Sequence, residues 1–490
     1  MRLPHAEVAG QLARQLHALD FTVEGVQSRL GPEAAAALER GSTVVAGQVL
    51  RGDTSPLATV VRLFLLAQPV TSTDLAAALP VDLELSDLLV TASDGHVRSS
   101  LELAPHAADG DWLLASDWAG TRTGRRVAAD HVLGAGGASL MLAQCTVRPS
   151  ASRALDLGTG CGIQAVHLSR HCETVVGTDV SRRCLDVAEF NLAMNDIVCD
   201  LRHGSLFDPV ADERFDLIVS NPPFVIGSPR SQRYDYRDSG LPGDEVCGRI
   251  VAGAEHHLSE GGWCQLLANW EIHADDDWWA APAGWLSGSC LDAWVVQREV
   301  QDPAAYVETW LHDAGVGSQD EDDSQYADWY SGLRARGVVG VGFGLVSLRS
   351  GGLHHPVRRF QHASQPLDQP VGGEVERWFA RQDRLRFAPA SEVLLMRVQV
   401  AADVRVDLRL RPGVDEPEEL LALRESGFRW TATLDQFGVE VLGQIDPEHT
   451  LGEAVAAVAE ASGIEVAEAL TGAIPVLRRM IEEGFLEPLD

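Results

Sequence analysis

The sequence predicts an α/β protein built on an open, parallel-rich sheet covered by helices. Three observations carry this. Strand-like and helix-like segments alternate through the middle of the chain. An apolar run ends in a glycine-rich turn, Leu155-Asp156-Leu157-Gly158-Thr159-Gly160-Cys161-Gly162. Downstream, a second apolar run ends in Asn221-Pro222-Pro223-Phe224.

The strand-like segments are Ala154–Leu157, Thr174–Thr178, Phe215–Ser220, Trp263–Ala268, Leu291–Gln297 and Gly342–Leu348. They are short and apolar, as strands buried on both faces should be. Ile163–Arg170 and Arg182–Met194 carry helical periodicity between them. At 490 residues the chain has room for two or three domains. The expected division is residues 1–120, 121–350 and 351–490.

Residues 1–50 read as helices, with Leu12, Leu16 and Leu19 on one face and Pro32-Glu33 opening an alanine run. A helix over Thr59–Ala67, a second capped by Thr71–Asp74, a third over Val81–Val90 and a strand at Gly95–Arg98 suggest a winged-helix shape. Trp112–Ala119 reads as a strand. In the last segment, Val393–Val400 and Val404–Leu410 alternate like antiparallel strands. Leu451–Glu460, Val466–Leu470 and Ile474–Glu483 read as helices, so this end is α+β and again winged-helix-like.

Charge and composition narrow the function classes. The net charge is −32, and every basic residue other than histidine is Arg. Such a surface repels phosphate and disfavours non-specific nucleic-acid binding. The charge is uneven. Residues 308–328 hold seven acids and no Arg, which reads as a surface insertion, whereas residues 351–410 hold nine Arg against seven acids. No apolar run approaches the ~20 residues of a membrane span. No signal-type core follows Met1, so a cytoplasmic protein is expected. Eight cysteines show neither a paired motif nor zinc-like spacing, and no metal is expected.

The glycine turn brings bare backbone to a ligand, because Gly158, Gly160 and Gly162 remove the Cβ atoms that would hold it off. The amides of the following helix would point at that ligand. Asp179, ending the next strand, can accept both hydroxyls of a ribose. Ser205 and Leu206, in Arg202–Asp208, fall where a loop would lie along an adenine. After the strand Phe215–Ser220, the Asn221 side-chain oxygen and the Pro222 carbonyl offer two acceptors to an NH₂ group. Pro223 stiffens the loop, and Phe224 offers a face to a planar group. Tyr234, Tyr236 and Arg237 fall where a substrate entrance would be.

These motifs resemble the class I S-adenosylmethionine (SAM) methyltransferases of the small-domain type. Among these are release-factor glutamine methyltransferases, ribosomal RNA guanine-N2 methyltransferases and tRNA adenine-N6 methyltransferases. The resemblance covers residues 130–270. It implies a Rossmann-like sheet of seven strands, the last antiparallel, with SAM as cofactor and no metal. It assigns Asn221, Pro222 and Phe224 to catalysis, and Asp156, the three glycines, Asp179, Ser205 and Leu206 to the cofactor. Arg237–Asp244 resembles the glutamine branch, and Phe224 the guanine branch. The implied activity is methyl transfer to a planar nitrogen of an RNA or protein partner. An exocyclic base amine stands first, a glutamine amide second, and a small-molecule substrate or a non-catalytic SAM-binding scaffold last.

Overall fold

The computed structural model describes residues 3–79, 84–85, 87–107, 110–123, 127–227, 237–238, 240–313, 319–351, 355–413 and 417–489. The chain divides into two compact units. One comprises residues 1–143 and 149–360, the other residues 144–148 and 361–490.

The first unit holds the sheet. Its strands are β1 (Ala151–Leu157), β2 (Cys172–Asp179), β3 (Asp200–His203), β4 (Phe215–Ser220), β5 (Leu258–His273), β6 (Asp292–Gln301), β7 (Val338–Arg349) and β8 (Arg358–His362). Their order is β3-β2-β1-β4-β5-β7-β6-β8. β1 to β5 pair in parallel, while β7 runs antiparallel between β5 and β6. Seven strands follow the implied arrangement, and β8 adds an edge strand that the sequence did not announce. The central strands are apolar on both faces: Phe215, Leu217, Ile218 and Val219 of β4 are all buried. One face packs on a helix, Glu245–His257, through Val246, Ile250 and Val251.

The N-terminal segment forms helices α1 (Ala6–Ala18) to Pro56–Phe64, with Leu12 and Leu16 buried as the periodicity requires. After Pro56–Phe64 come Val70–Thr71, the helix Ser72–Ala78 and a hairpin of Leu89–Thr91 with His96–Ser99. The helix expected over Val81–Val90 is corrected at its end. Leu89–Thr91 is a strand, because β-branched Val90 and Thr91 precede an Asp94-Gly95 turn. Residues 80–83 and 86 of that stretch lie outside the described residues.

This segment shares a core with the sheet domain. Phe190 and Met194 of the helix Arg182–Met194 join its apolar cluster. Two asparagines complete the seam. The Asn191 amide accepts from Ala115 N at 2.7 Å and donates to Ala115 O at 2.9 Å and Cys161 O at 2.8 Å. Asn195 makes the same pair of bonds to Leu113. Asp111–Ser116 forms a hairpin with Glu102–Ala107, the two side chains act as a neighbouring strand on its other edge, and Asn191 also holds the glycine turn.

The acidic stretch is corrected from a surface insertion to two helices, Pro303–Asp313 and Gln319–Ala335. Tyr306, Trp329 and Leu333 are buried between them and β7. The acids mask this apolar spacing in the sequence.

In the second unit both runs form antiparallel strands, each with a partner further along the chain. Val398–Val400 pairs with Leu486–Pro488, and Val404–Arg409 pairs with Glu419–Arg424. A turn closed by Val404 N to Ala401 O separates the two runs, and Val393 belongs to the helix Ala390–Leu395. Four of the nine Arg of residues 351–410 are paired with acids. Arg377 and Arg381 bind Glu374, Arg405 binds Glu425 and Arg409 binds Glu419.

Asn191 is fully buried. Asn191→Ala should therefore lower stability by about 2–3 kcal/mol, because three buried backbone groups lose their partner. Urea unfolding with an unchanged midpoint would contradict this.

Candidate active site

β1 and β4 are neighbours and end together, with Leu157 opposite Ser220. The Ser220 hydroxyl donates to Leu157 O at 2.7 Å. The glycine turn and Asn221 therefore emerge side by side at the carboxyl end of the sheet, where ligands of open α/β sheets collect. A cavity of about 260 Å³ lies there, with Gly158, Gly160, Asp179, Ser205, Leu206, Asn221, Pro222 and Pro223 among its lining residues.

Gly158 and Gly160 hold φ of +79° and +55°, with no atom within 4 Å of where a Cβ would stand. The backbone of the turn thus faces open space. Gly162 is different: a Cβ there would meet Ala188 Cβ at 3.3 Å. It is a packing glycine at the start of the helix Ile163–Leu168, not part of the cavity lining.

Asp156 lies beneath the turn, 1% exposed. Its Oδ2 accepts from Thr159 Oγ1 at 2.6 Å and Ala165 N at 3.0 Å, while Oδ1 has no partner. The Ala165 amide is therefore engaged by protein and does not reach toward a ligand, contrary to the expectation for this helix. Burial raises the Asp156 carboxyl to about 7, against the lowering effect of those two bonds.

Asp179 ends β2. Its carboxylate accepts from Gly160 N at 2.9 Å and Ser181 N at 2.8 Å, which fixes it on the cavity wall. Leu206 takes φ of +46°, a left-handed kink that turns residues 204–206 over the cavity. Cys161 and Cys184 also line the cavity, and burial pushes their thiols up to about 11 and about 12. Neither is a thiolate nucleophile near neutral pH.

Asn221 donates from Nδ2 to Ser139 Oγ at 3.1 Å. That bond turns the amide so that Oδ1 is the acceptor left for a ligand. Ser139 is buried on the helix Gly137–Cys145, and its carbonyl accepts from Gln164 Nε2 at 2.7 Å. Sequence reasoning missed both residues, since isolated polar positions upstream of a motif give no pattern. The Pro222 carbonyl accepts from Phe224 N at 2.7 Å, which curls the loop and leaves one lone pair. Beyond it, Ile226 is clamped: its N–H donates to Tyr306 Oη and its carbonyl accepts from Trp329 Nε1, both at 2.8 Å.

Two expectations for this region are revised. Phe224 is not in the cavity lining; its ring meets Trp310 edge-on, with centroids 6.3 Å apart. Arg237 is 3% exposed, donates to Trp310 O at 2.5 Å and lies over the Trp329 ring. It buttresses the loop from behind, its guanidinium satisfied by the Asp238 carboxylate at 3.3 Å, the Trp310 carbonyl and the Trp329 face. Tyr234 and Tyr236 lie outside the described residues. Among the described residues, no group of three or more His, Cys, Asp or Glu could hold a metal ion, and no helix is long and apolar enough to cross a membrane.

Comparison with known proteins agrees with this geometry. Residues 134–277 match the methyltransferase small domain, and residues 18–100 and 376–488 match two domains of unknown function. The release factor glutamine methyltransferase of Geobacter sulfurreducens is 37% identical over 130 residues, 24% of this chain and 45% of that protein. Ribosomal RNA small subunit methyltransferase C of Alcanivorax borkumensis is 33% identical over 120 residues, 24% of this chain and 33% of that one. A 16S rRNA methyltransferase structure from T. thermophilus, in complex with AdoMet and guanosine, aligns at a TM-score of 0.26 with 22% identity, over 37% of this chain and 49% of that one. The chain thus spans less than half the length of the curated relatives named here. The strand order and the glycine turn beside Asn221 accompany one finding: residues 134–277 of this chain match the methyltransferase small domain.

Proposed function

We propose that this protein transfers a methyl group from SAM to a planar nitrogen of a macromolecular substrate. The observation that supports it most is the shared cavity of the glycine turn, Asp179 and Asn221. SAM fits the donor set: open space over Gly158 and Gly160 for its main chain, the Asp179 carboxylate for the ribose hydroxyls, and residues 204–206 for the adenine. Bound SAM would supply an electrophilic methyl on a sulfonium, a leaving group that needs no acid.

The protein then has an alignment task. An amide or aryl-amine lone pair is delocalised, so the nitrogen is a weak nucleophile. Asn221 Oδ1 and the free lone pair of the Pro222 carbonyl accept the two N–H bonds. This stabilises the state in which the lone pair has left conjugation and points at the methyl carbon. With SAM bound, Asn221 and the Pro222 carbonyl would hold the two N–H bonds of the nitrogen as it becomes cationic, and its surplus proton would leave to solvent. Ser139 acts through Asn221 by holding its amide the right way round.

A glutamine amide of a protein is the better-supported substrate. Two features that favoured a nucleic-acid base weaken in the folded chain: Phe224 packs against Trp310, and the arginines named above at 351–410 sit on carboxylates. Leu241, from the stretch that resembles the glutamine branch, lines the cavity. The base reading keeps one structural support, the helix–strand–helix–hairpin order of residues 56–99. Tritiated SAM incubated with cell extract, followed by protease or nuclease digestion, separates the two. Protease-sensitive label supports the amide; nuclease-sensitive label supports the base; no label with intact SAM binding refutes both.

Asn221→Ala should bind SAM normally while transfer falls about a thousandfold. Ser139→Ala should fall about tenfold and Ser139→Thr recover, in the same assay, for loss of one neutral hydrogen bond. Asp179→Ala should raise the SAM dissociation constant about 10- to 100-fold by calorimetry, the loss of hydrogen bonds to a carboxylate.

A pH effect follows from Asp156. Its folded carboxyl holds a proton that the unfolded chain releases near 3.9. The resulting stability is fully present below that pH and is lost as pH rises through about 7. Asp156→Asn, a neutral mimic, should show a flatter loss of melting temperature between pH 5 and pH 8. Parallel curves for the two proteins would count against a protonated Asp156.

A further inference from the structure

The second unit carries a small antiparallel sheet in the order Val404–Arg409, Glu419–Arg424, Thr431–Leu434. Its two edge strands differ. Thr431–Leu434 alternates exposed and buried residues, as a strand covered on one face should. Val404–Arg409 is exposed on both faces from Arg405 onward. Two apolar rows run across the sheet to it, Leu434–Leu420–Leu408 and Ala432–Ala422–Val406. The first two members of each row are buried, but Leu408 is 59% exposed and Val406 38%. Leu410, one residue past the strand, is 55% exposed. The rows thus leave the core at this edge, where no described strand continues them.

The backbone here is set for a further strand. Asp403 O accepts from Glu425 N at 3.1 Å and Arg409 O from Glu418 N at 2.7 Å. The odd-numbered residues therefore turn their peptide groups into the sheet, and Val406 and Leu408 turn theirs outward. An exposed apolar edge strand is a template for pairing with another chain.

The side chains select the partner. Consider the strand paired antiparallel with its own copy about a twofold axis. Centred on Asp407, the pairing would oppose Asp407 to itself and Arg405 to Arg409. Centred on Val406, it would need the Val404 N–H, which already donates to Ala401 O at 3.0 Å. Centred on Leu408, it opposes Leu408 to its copy, Val406 to Leu410 and Asp407 to Arg409. The three exposed apolar residues are then covered symmetrically, and an ion pair crosses the seam on either side of the axis. Arg409 already meets Glu419 through Nη1 at 2.8 Å, but its exposed guanidinium keeps further N–H donors. Arg405 comes opposite Arg411, and each stays on its own carboxylate, Glu425 and Glu418. This match of the segment to its own reverse commits the edge to a second copy rather than to a foreign strand.

We propose that two copies of this protein associate through Val404–Leu410, joining their small sheets into one across a twofold axis at Leu408. The pairing uses up both edges, so the assembly closes at two chains. A net charge of −32 on each chain opposes the contact. Ladder bonds, apolar cover and the crossed ion pairs hold the seam against it. The contact is independent of the methyl-transfer reading.

Sedimentation velocity of the full-length protein over a range of concentrations tests this. A species of two chains should appear, its share rising with concentration. Asp407→Arg sets Arg against Arg409, and Arg409→Asp sets Asp407 against Asp. Each variant alone should raise the dissociation constant of the pair at least about tenfold. An equal mixture of the two variants should recover the original constant, because every Arg at 407 or 409 then faces an Asp. Leu408→Pro removes an outward N–H and leaves the bonds to Glu419–Arg424 intact. It should abolish pairing at an unchanged melting temperature. SAM affinity should be the same in every variant. A single chain at all concentrations, an assembly larger than two, or a pair unmoved by Leu408→Pro would overturn the proposal. So would a mixture that stays as weak as its two components.

Discussion

The site depends on the pairing of β1 with β4. In a parallel ladder each strand's register is set by its neighbour. Here Leu157 faces Ser220, and the Ser220 hydroxyl ties the two strand ends together. A slip of one residue would turn Asn221 to the other face of the sheet. It would also remove the acceptor from the cavity that the glycine turn builds. The rest of the local structure preserves that coincidence. Asp156 holds the turn from below, Asn191 holds it from the side, and Ser139 sets the Asn221 amide.

The loop after Asn221 is held from behind by aromatic and cationic groups rather than by its own stiffness. Pro222 and Pro223 limit its backbone, but its exit at Ile226 is fixed by Tyr306 and Trp329. Arg237 adds a bond to Trp310 O beneath an aromatic face. A methyl acceptor must be placed within a few tenths of an ångström for direct displacement. A two-proline loop without this backing would sample too many positions. The acidic helices therefore combine two properties, an apolar inner side that braces the loop and a charged outer side that faces solvent.

The N-terminal segment is joined to the sheet domain by a shared apolar core and by side chains that mimic a strand. Asn191 and Asn195 sit four residues apart on one helix face, spaced to meet alternate residues of an extended partner. The arrangement satisfies the edge of a hairpin that would otherwise be unpaired. It also links that hairpin to Cys161 in the cofactor turn, so the flanking segment contributes to the shape of the site.

The alternation of elements, the strands that end at Leu157 and Ser220, and the cluster of Gly158, Gly160, Asp179 and Asn221 were all readable from the chain. Each is a local pattern: periodicity fixes the element, and a glycine or an asparagine at its end marks a loop able to meet a ligand. Ser139, Gln164, Asn191 and Tyr306 were not readable, because each acts on a residue far away in sequence, and no local pattern marks such pairs. Arg237 and Phe224 were misplaced for the same reason, since exposure is not written in a short motif. The C-terminal strands were readable as antiparallel strands but their partners were not: Val398–Val400 joins Leu486–Pro488, 88 positions away by the Gln399–Glu487 bond. What the sequence alone determined was the chemistry on offer at each strand end. Only the folded chain decided which of those groups meet, because meeting depends on register and long-range packing.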